Sequence, residues 1–381
     1  MENTALLSPA DPAPPQAQQP HVYALRFTGS GHEYFRIWIV NLLLTVLTLG
    51  VYSAWAKARR LQYFDRNTVL AGAVFRFHGA PLAILRGRVL AVVLAVAYHY
   101  AFGFSFAAGV ATAAGLVLAL PYLMLNSLRF RSRNTSYRGI RFGFDGGTGG
   151  AYLAYGPALL ILLGPGLLAQ GGAPAWVIGL SWLGFLAWPL VHAQLRAFQQ
   201  GHLRFGAARA EYGGRYREFF LIYLAAAGIA LAGIVAMVLI LIVAAFGLQM
   251  LLHGNAKGAA ITGVLGAVLG VYVFYLLTGP YVFVRIFNHV WNATRLDGLS
   301  FASRLSARGY LKLQTRNVVL TLLTLGLYRP WAAVATHRYR VEHMTVHTTR
   351  PLDELLADAT QEDTGAAGEG AADIFGFDLS W

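Results

Sequence analysis

The chain has 381 residues, 56% of them hydrophobic and 12% charged, with a mean hydropathy of +0.51. A soluble domain carries about a quarter charged residues, so a soluble globular fold is excluded. The apolar residues gather in runs of about 18 or more, the length of a membrane-crossing helix. The absence of Cys removes disulfides, thiolate metal sites and cysteine nucleophiles.

Residues 1–22 read as a disordered leader, because five prolines fall in the first 20 positions without the basic start or apolar stretch of a secretory signal. Residues 23–347 read as one integral membrane domain. Its first segment, near 34–56, is introduced by Ser30-Gly31-His32-Glu33, a capping-box pattern that supplies partners for the free N–H groups of a first helical turn. Three helical hairpins follow, with segments near 89–105 and 107–128, 152–169 and 175–198, and 219–252 and 259–287. A last segment near 317–335 completes an all-α polytopic architecture of about eight membrane segments. Residues 348–381 read as an acidic disordered tail, since eight acids and no base follow Arg350. The preceding residues hold all 30 bases and nine acids, a formal +21 against +13 for the whole chain.

Lys and Arg near membrane ends are retained on the cytoplasmic side. The four long connections carry twenty such residues and the three short turns carry Lys257 alone. The long loops are therefore cytoplasmic, and Gly followed by alternating Phe and polar residues within them predicts short β-hairpins. For the two end segments, spanning is the adopted reading, which makes them an inverted pair and puts both termini in the periplasm. The alternative is re-entrant segments, favoured by Arg316 and Arg329-Pro330 in the second copy.

The ends are duplicated. Tyr34–Ala56 aligns without gaps on Tyr310–Ala332 at an offset of 276, with eleven identities in 23 positions. These include the repeat motif Gly50, Tyr52 and Trp55 against Gly326, Tyr328 and Trp331, with the glycines marking breaks and the aromatics at the membrane interface. A second repeat, at an offset of 67, matches Arg66-Asn67-Thr68, Gly72, Phe75, Phe77 and Gly79 to Arg133-Asn134-Thr135, Gly139, Phe142, Phe144 and Gly146. Weaker versions occur at Leu203-Arg204-Phe205 and at Asn292, Gly298 and Phe301. Leu-Thr-Leu-Gly-Val-Tyr-Ser-Ala-Trp-Ala-Lys at 47–57, followed by Arg60, Tyr63-Phe64, Asn67-Thr68 and a Phe-x-Phe-x-Gly strand, resembles the YjgN family, or DUF898, from about residue 23 to 347. The resemblance implies a polytopic protein of the bacterial inner membrane and brings no established catalytic or ligand-binding residues. The second copy departs from it, with Arg329-Pro330 for Ser53-Ala54 and Ala333 for Lys57.

Asn41, Thr45 and Thr48, repeated as Asn317, Thr321 and Thr324, place polar atoms at i, i+4 and i+7 on one helical stripe. They are a candidate polar seam, read either as the lining of a solute path or as interhelical hydrogen bonding. No Asp or Glu lies centrally in any segment, which argues against a carboxylate-coupled pump. His99 and His192 lie inside apolar runs and read as hydrogen-bonding to neighbouring helices. His337, His343 and His347 offer a single i, i+4 pair, too little for a metal centre, so neither metal nor cofactor is expected. The Arg and aromatic residues of the loops are explained by orientation and lipid headgroups, so membrane lipids and not nucleic acid are the expected partners. Gly266 and Gly270 read as a helix-contact signal. No hydrolase or nucleotide-binding motif is present, so enzymatic activity is not expected. Two functions remain: movement of a small solute or lipid component across the membrane, or a non-transporting scaffold recruiting lipids or proteins through the Arg-rich loops.

Overall fold

The computed structural model describes residues 21–251 and 256–363. Five units repeat along it, each built of two helices followed by two strands. The first comprises α1 (Gly31–Leu47), α2 (Ser53–Arg66), β3 (Thr68–Leu70) and β4 (Ala73–Phe77); the second α3 (Pro81–Phe104), α4 (Phe106–Arg133), β5 (Thr135–Tyr137) and β6 (Ile140–Phe144). In the third, α5 (Thr148–Gln170) is followed by a broken helix, α6 (Ala175–Ser181), a 3-10 turn and α7 (Trp188–Gly201), then β7 (Leu203–Phe205) and β8 (Ala208–Tyr212). The fourth holds α8 (Tyr216–Leu251), α9 (Ala256–Asn292), β9 (Thr294–Leu296) and β10 (Leu299–Ser303). The fifth holds α10 (Ala307–Leu323), α11 (Arg329–Glu342) and β11 (Met344–Thr348), and takes its second strand from the start of the chain, as β1 (His21–Ala24) and β2 (Arg26–Phe27).

The strands form one antiparallel sheet in the order β1-β11-β10-β9-β8-β7-β6-β5-β4-β3-β2. Its two ends, β1 and β2, are consecutive in the chain and separated only by Leu25, whose N–H donates to the Met344 carbonyl at 3.2 Å. The sheet therefore closes into a barrel with no free edge. Leu70, Tyr137, Ile140, Phe205, Leu296 and Val346 fill its interior. Two-residue turns join β3 to β4 and β5 to β6, with Ala71 and Gly72 at φ 44° and 77° and Arg138 and Gly139 at 48° and 87°. Positive φ at both positions matches the right-handed twist of the paired strands.

The repeat is chemical as well as topological. Asn67, Asn134, His202 and His343 each end a helix and bond back through the side chain to the carbonyl four residues earlier, at 2.8 to 3.0 Å. Each unit's outgoing strand then hands an N–H to the helix-end carbonyl of its neighbour: Thr28 to Asn67, His78 to Asn134, Asp145 to His202, Gly213 to Ala293 and Arg304 to His343, at 2.7 to 3.1 Å. At four of these exits an aromatic ring lies over the glycine two residues on. A Cβ at Gly29, Gly79, Gly146 or Gly214 would stand within 2.7 Å of Phe27, Phe77, Phe144 or Tyr212, respectively. Phe77 is itself buried against Phe130 and cannot swing clear. Gly79→Ala is accordingly expected to destabilise by about 1–3 kcal/mol, read as a lowered thermal midpoint of the purified protein. The same change at Gly147, which has open space around it, serves as the control.

The helices form a ring on one end of the barrel. Each packs against its neighbours in chain order, and α11 packs back against α1. Five stretches among the described residues are long and apolar enough to cross a membrane: Pro81–Phe104, Phe106–Arg133, Thr148–Gln170, Ala175–Gly201 and Tyr216–Ile240.

Five expectations change. The protein is not all-α with isolated hairpin loops, because the predicted hairpins are staves of one barrel. Residues 34–56 are not one helix: α1 ends at Leu47, Leu49 and Gly50 take φ of 49° and 94°, and α2 returns toward the barrel. The 317–335 segment divides in the same way at Leu325 and Gly326, so the count of eight spans does not stand and both end segments are helical hairpins. The strands β1, β2 and β11 share a sheet with strands from all four basic loops, so the described chain ends lie on the same side as those loops and no inverted pair exists. Finally, the tail is not wholly unstructured. Leu352–Asp363 forms α12, with Leu352 and Leu356 buried in the barrel. Residues 1–20 of the leader and 364–381 of the tail lie outside the described residues.

Candidate functional site

The end hairpins repeat each other atom for atom. Thr48 donates to the Leu44 carbonyl at 2.7 Å and accepts from the Tyr52 N–H at 2.9 Å; Thr324 does the same with Leu320 and Tyr328 at 2.7 and 3.0 Å. Tyr52 stacks on Trp55 and Tyr328 on Trp331, each pair with ring centroids 6.0 Å apart. The tips, Leu49 and Leu325, are both 95% exposed, an arrangement that is stable only in lipid. The last hairpin locks onto the first: Trp331 stacks on Phe35 at 4.8 Å and fills the space above Gly31.

The candidate site lies at the root of the first hairpin. Arg36, Ile37 and Val40 of α1 face Arg59, Gln62, Tyr63 and Arg66 of α2, with Asn67, around an open cleft of about 460 Å³. Positions 59, 62, 63 and 66 fall on one helical face. The Arg59 guanidinium lies 5.7 Å from the Tyr52 ring. Burial pushes the Tyr63 hydroxyl up to about 12, which keeps it a donor, and it bonds the Ser30 carbonyl at 2.8 Å and the Glu33 carboxylate at 3.2 Å. The capping box is thus half realised: Ser30 accepts from the Glu33 N–H at 3.2 Å, while the Glu33 carboxylate turns to Tyr63. At 1.5 Å per residue, Arg36 lies about 16 Å from the end of α1 at Leu47, roughly half of a 30 Å hydrocarbon core. With the arginines among headgroups, the tip reaches the middle of the bilayer. The second copy lacks this chemistry, since Ala335 and Glu342 stand where the first copy has Arg59 and Arg66.

Beneath the barrel a second set of titratable side chains is enclosed. His337 of α11 sits between Phe27 and Phe64, with ring centroids at 4.9 and 4.6 Å, and its Nε2 lies 3.2 Å from Thr68 Oγ1. Burial, helped by Arg340, Arg60 and Arg131, holds its pKa down at about 3. Burial raises Asp65 to about 6 against the pull of Arg131. Asp65 carries no motif and was not singled out from sequence; a lone acid in an arginine-rich loop was the available signal.

Among the seam residues, Asn41 and Asn317 are buried, each with an unpartnered Oδ1. Asn317 donates to Thr336 Oγ1 at 3.2 Å on α11. Thr45, Thr48 and Thr324 give their hydroxyl protons to their own helix carbonyls, the ordinary behaviour of helical Thr. No hydrogen bond among the described residues joins the two sets. His192 pairs with Tyr223 at 2.8 Å, His343 caps its own helix, and His347 lies 3.0 Å from Thr345 Oγ1.

Residues 22–374 match the family described as "Bacterial protein of unknown function (DUF898)". The chain is similar to the inner membrane protein YjgN of Salmonella typhimurium, 27% identical over 341 residues that cover 82% of this chain and 86% of that one. It is 32% identical to the YjgN proteins of Escherichia coli O157:H7 and K12 over 125 residues, 31% of this chain and 30% of each. No solved structure matches. The barrel, the apolar ring of helices and these likenesses agree: the chain belongs to the DUF898, or YjgN, family of bacterial proteins and is a multi-pass protein of the inner membrane.

Proposed function

We propose that the protein moves a lipid component of the inner membrane and takes hold of it through an anionic headgroup at the α1–α2 cleft. The supporting observation is the convergence of Arg36, Arg59 and Arg66 above Ile37 and Val40. Three guanidiniums at headgroup depth over an apolar wall match a phosphate carried on acyl chains. The cleft opens toward lipid along the exposed α1 face of Val40, Leu43 and Leu47. The scaffold reading draws on a different feature, the mixed-charge cleft of Arg209, Glu211, Arg295 and Asp297 around two barrel turns, which suits a protein partner.

Reconstitution with fluorescent phosphatidylglycerol separates the two readings. If the lipid reading holds, dithionite bleaches a larger fraction of probe in vesicles carrying the protein than in empty ones. The triple change Arg36→Gln, Arg59→Gln and Arg66→Gln is expected to lower that excess at least 10-fold. Wild-type vesicles that bleach like empty vesicles would remove the lipid reading and leave the scaffold.

A further inference from the structure

The barrel holds a partly open apolar cavity of about 190 Å³, lined by residues such as Phe75, Phe142, Leu203, Ala210, Leu296 and Phe301. It exceeds the ~150 Å³ apolar cavity that suffices to bind benzene. A barrel of this many strands is wide enough to leave a ligand space once its own side chains are placed. The polar groups at the wall are committed elsewhere: Tyr137 gives its hydroxyl to the Leu70 carbonyl at 2.6 Å, Thr294 its own to the Val290 carbonyl at 2.8 Å, and Arg204, the one charged residue of the lining, has its guanidinium 3.6 Å from the Asp145 carboxylate.

At the turn end of the barrel α12 covers part of the cavity. Leu352 and Leu356, one helical turn apart, form part of its lining, and Leu355 lies against the turn glycine Gly298. Asp353 is paired with Arg138 in the β5–β6 turn, and the Thr349 N–H donates to the Gly298 carbonyl at 3.2 Å. The latch is therefore electrostatic and exposed, with Asp353 81% accessible, while the plug behind it is apolar. An exposed ion pair of this kind contributes little stability, so the lid can open without dismantling the barrel.

We propose that the barrel is a binding site for a small, uncharged, apolar ligand, and that α12 is the lid that admits and retains it. The site is independent of the α1–α2 cleft. The probe is fluorobenzene, titrated into the full-length protein in nanodiscs and followed by 19F NMR, with empty nanodiscs giving the lipid-partition background. A saturable protein-bound population of one per chain is expected. Ala210→Phe and Leu296→Phe, which fill the cavity from different strands, should each abolish it while retaining the wild-type melting profile. Asp353→Arg should accelerate exchange about 2- to 5-fold, and adding Arg138→Glu to it should restore the slow rate. The proposal is overturned if the wild type shows lipid partition alone, if both filled variants bind as the wild type does, or if the latch variants leave exchange unchanged.

Discussion

Truncating Phe27 to alanine is expected to destabilise the protein by about 3–5 kcal/mol, although the residue lies just past the stretch that reads as a disordered leader. Phe27 is 5% exposed, stacks on Phe64 at 5.8 Å, meets His337 edge-on, and has the Arg338 guanidinium 6.0 Å from its ring. It also stands where the sheet closes, so its loss loosens β2 from β3 as well as leaving a void. Val22 lies on β1, the other strand of the closure, but is 55% exposed, and Val22→Ala should stay within about 0.5 kcal/mol. Thermal midpoints of the two variants in one detergent test the contrast; similar small shifts would mean that the strand does not close the barrel.

The second large effect is a dependence on pH hidden by compensation. His337 titrates at about 3 when folded against 6.5 when exposed, so its contribution to stability is complete above pH 6.5 and declines as pH falls toward 3. Asp65 has the opposite sign: raised from 3.8 to about 6, it favours the folded state below pH 4 and loses that contribution as pH rises through 6. On acidification from pH 7 to 5 the histidine loses about 2 kcal/mol and the aspartate regains about 1.4, at 1.36 kcal/mol per pH unit. The wild type should therefore change by under about 1 kcal/mol. Asp65→Asn should be more stable at pH 7 and then lose about 2 kcal/mol by pH 5, because only the histidine remains. Melting curves of both proteins at the two pH values check this, and parallel profiles would show that the two groups do not oppose each other.

Much of the membrane part was legible, because long apolar runs and the placement of Lys and Arg are signals averaged over many residues. The duplication was legible for the same reason, and Gly50 and Gly326 were readable as breaks. What the breaks do was not. A run from Ile37 to Ala56 is long enough to span, and only the left-handed pair Leu49-Gly50 turns it back. The barrel was visible only as fragments. Its strands are two to five residues long, and the decisive pairing, β1 with β11, joins Val22 to His347 across almost the whole described chain. Local periodicity carries no information about such a partner. The acidity of the tail masked Leu352 and Leu356, two apolar residues at helical spacing that the barrel buries. The cleft was missed because its arginines had already been explained by membrane orientation.

The first and last strands close one barrel. The natural absence of Cys allows this closure to be tested with a single engineered pair, Val22→Cys with His347→Cys. These two residues face each other in register across β1 and β11, where opposed Cβ atoms stand about 4.5–5.5 Å apart. After oxidation in native membranes and digestion, mass spectrometry should find the two peptides joined in most chains. The pair Val22→Cys with Arg209→Cys, on strands that are not neighbours, should stay unlinked. Failure of the first pair to link above the second would contradict the closed barrel and, with it, the placement of both described chain ends on the side of the basic loops.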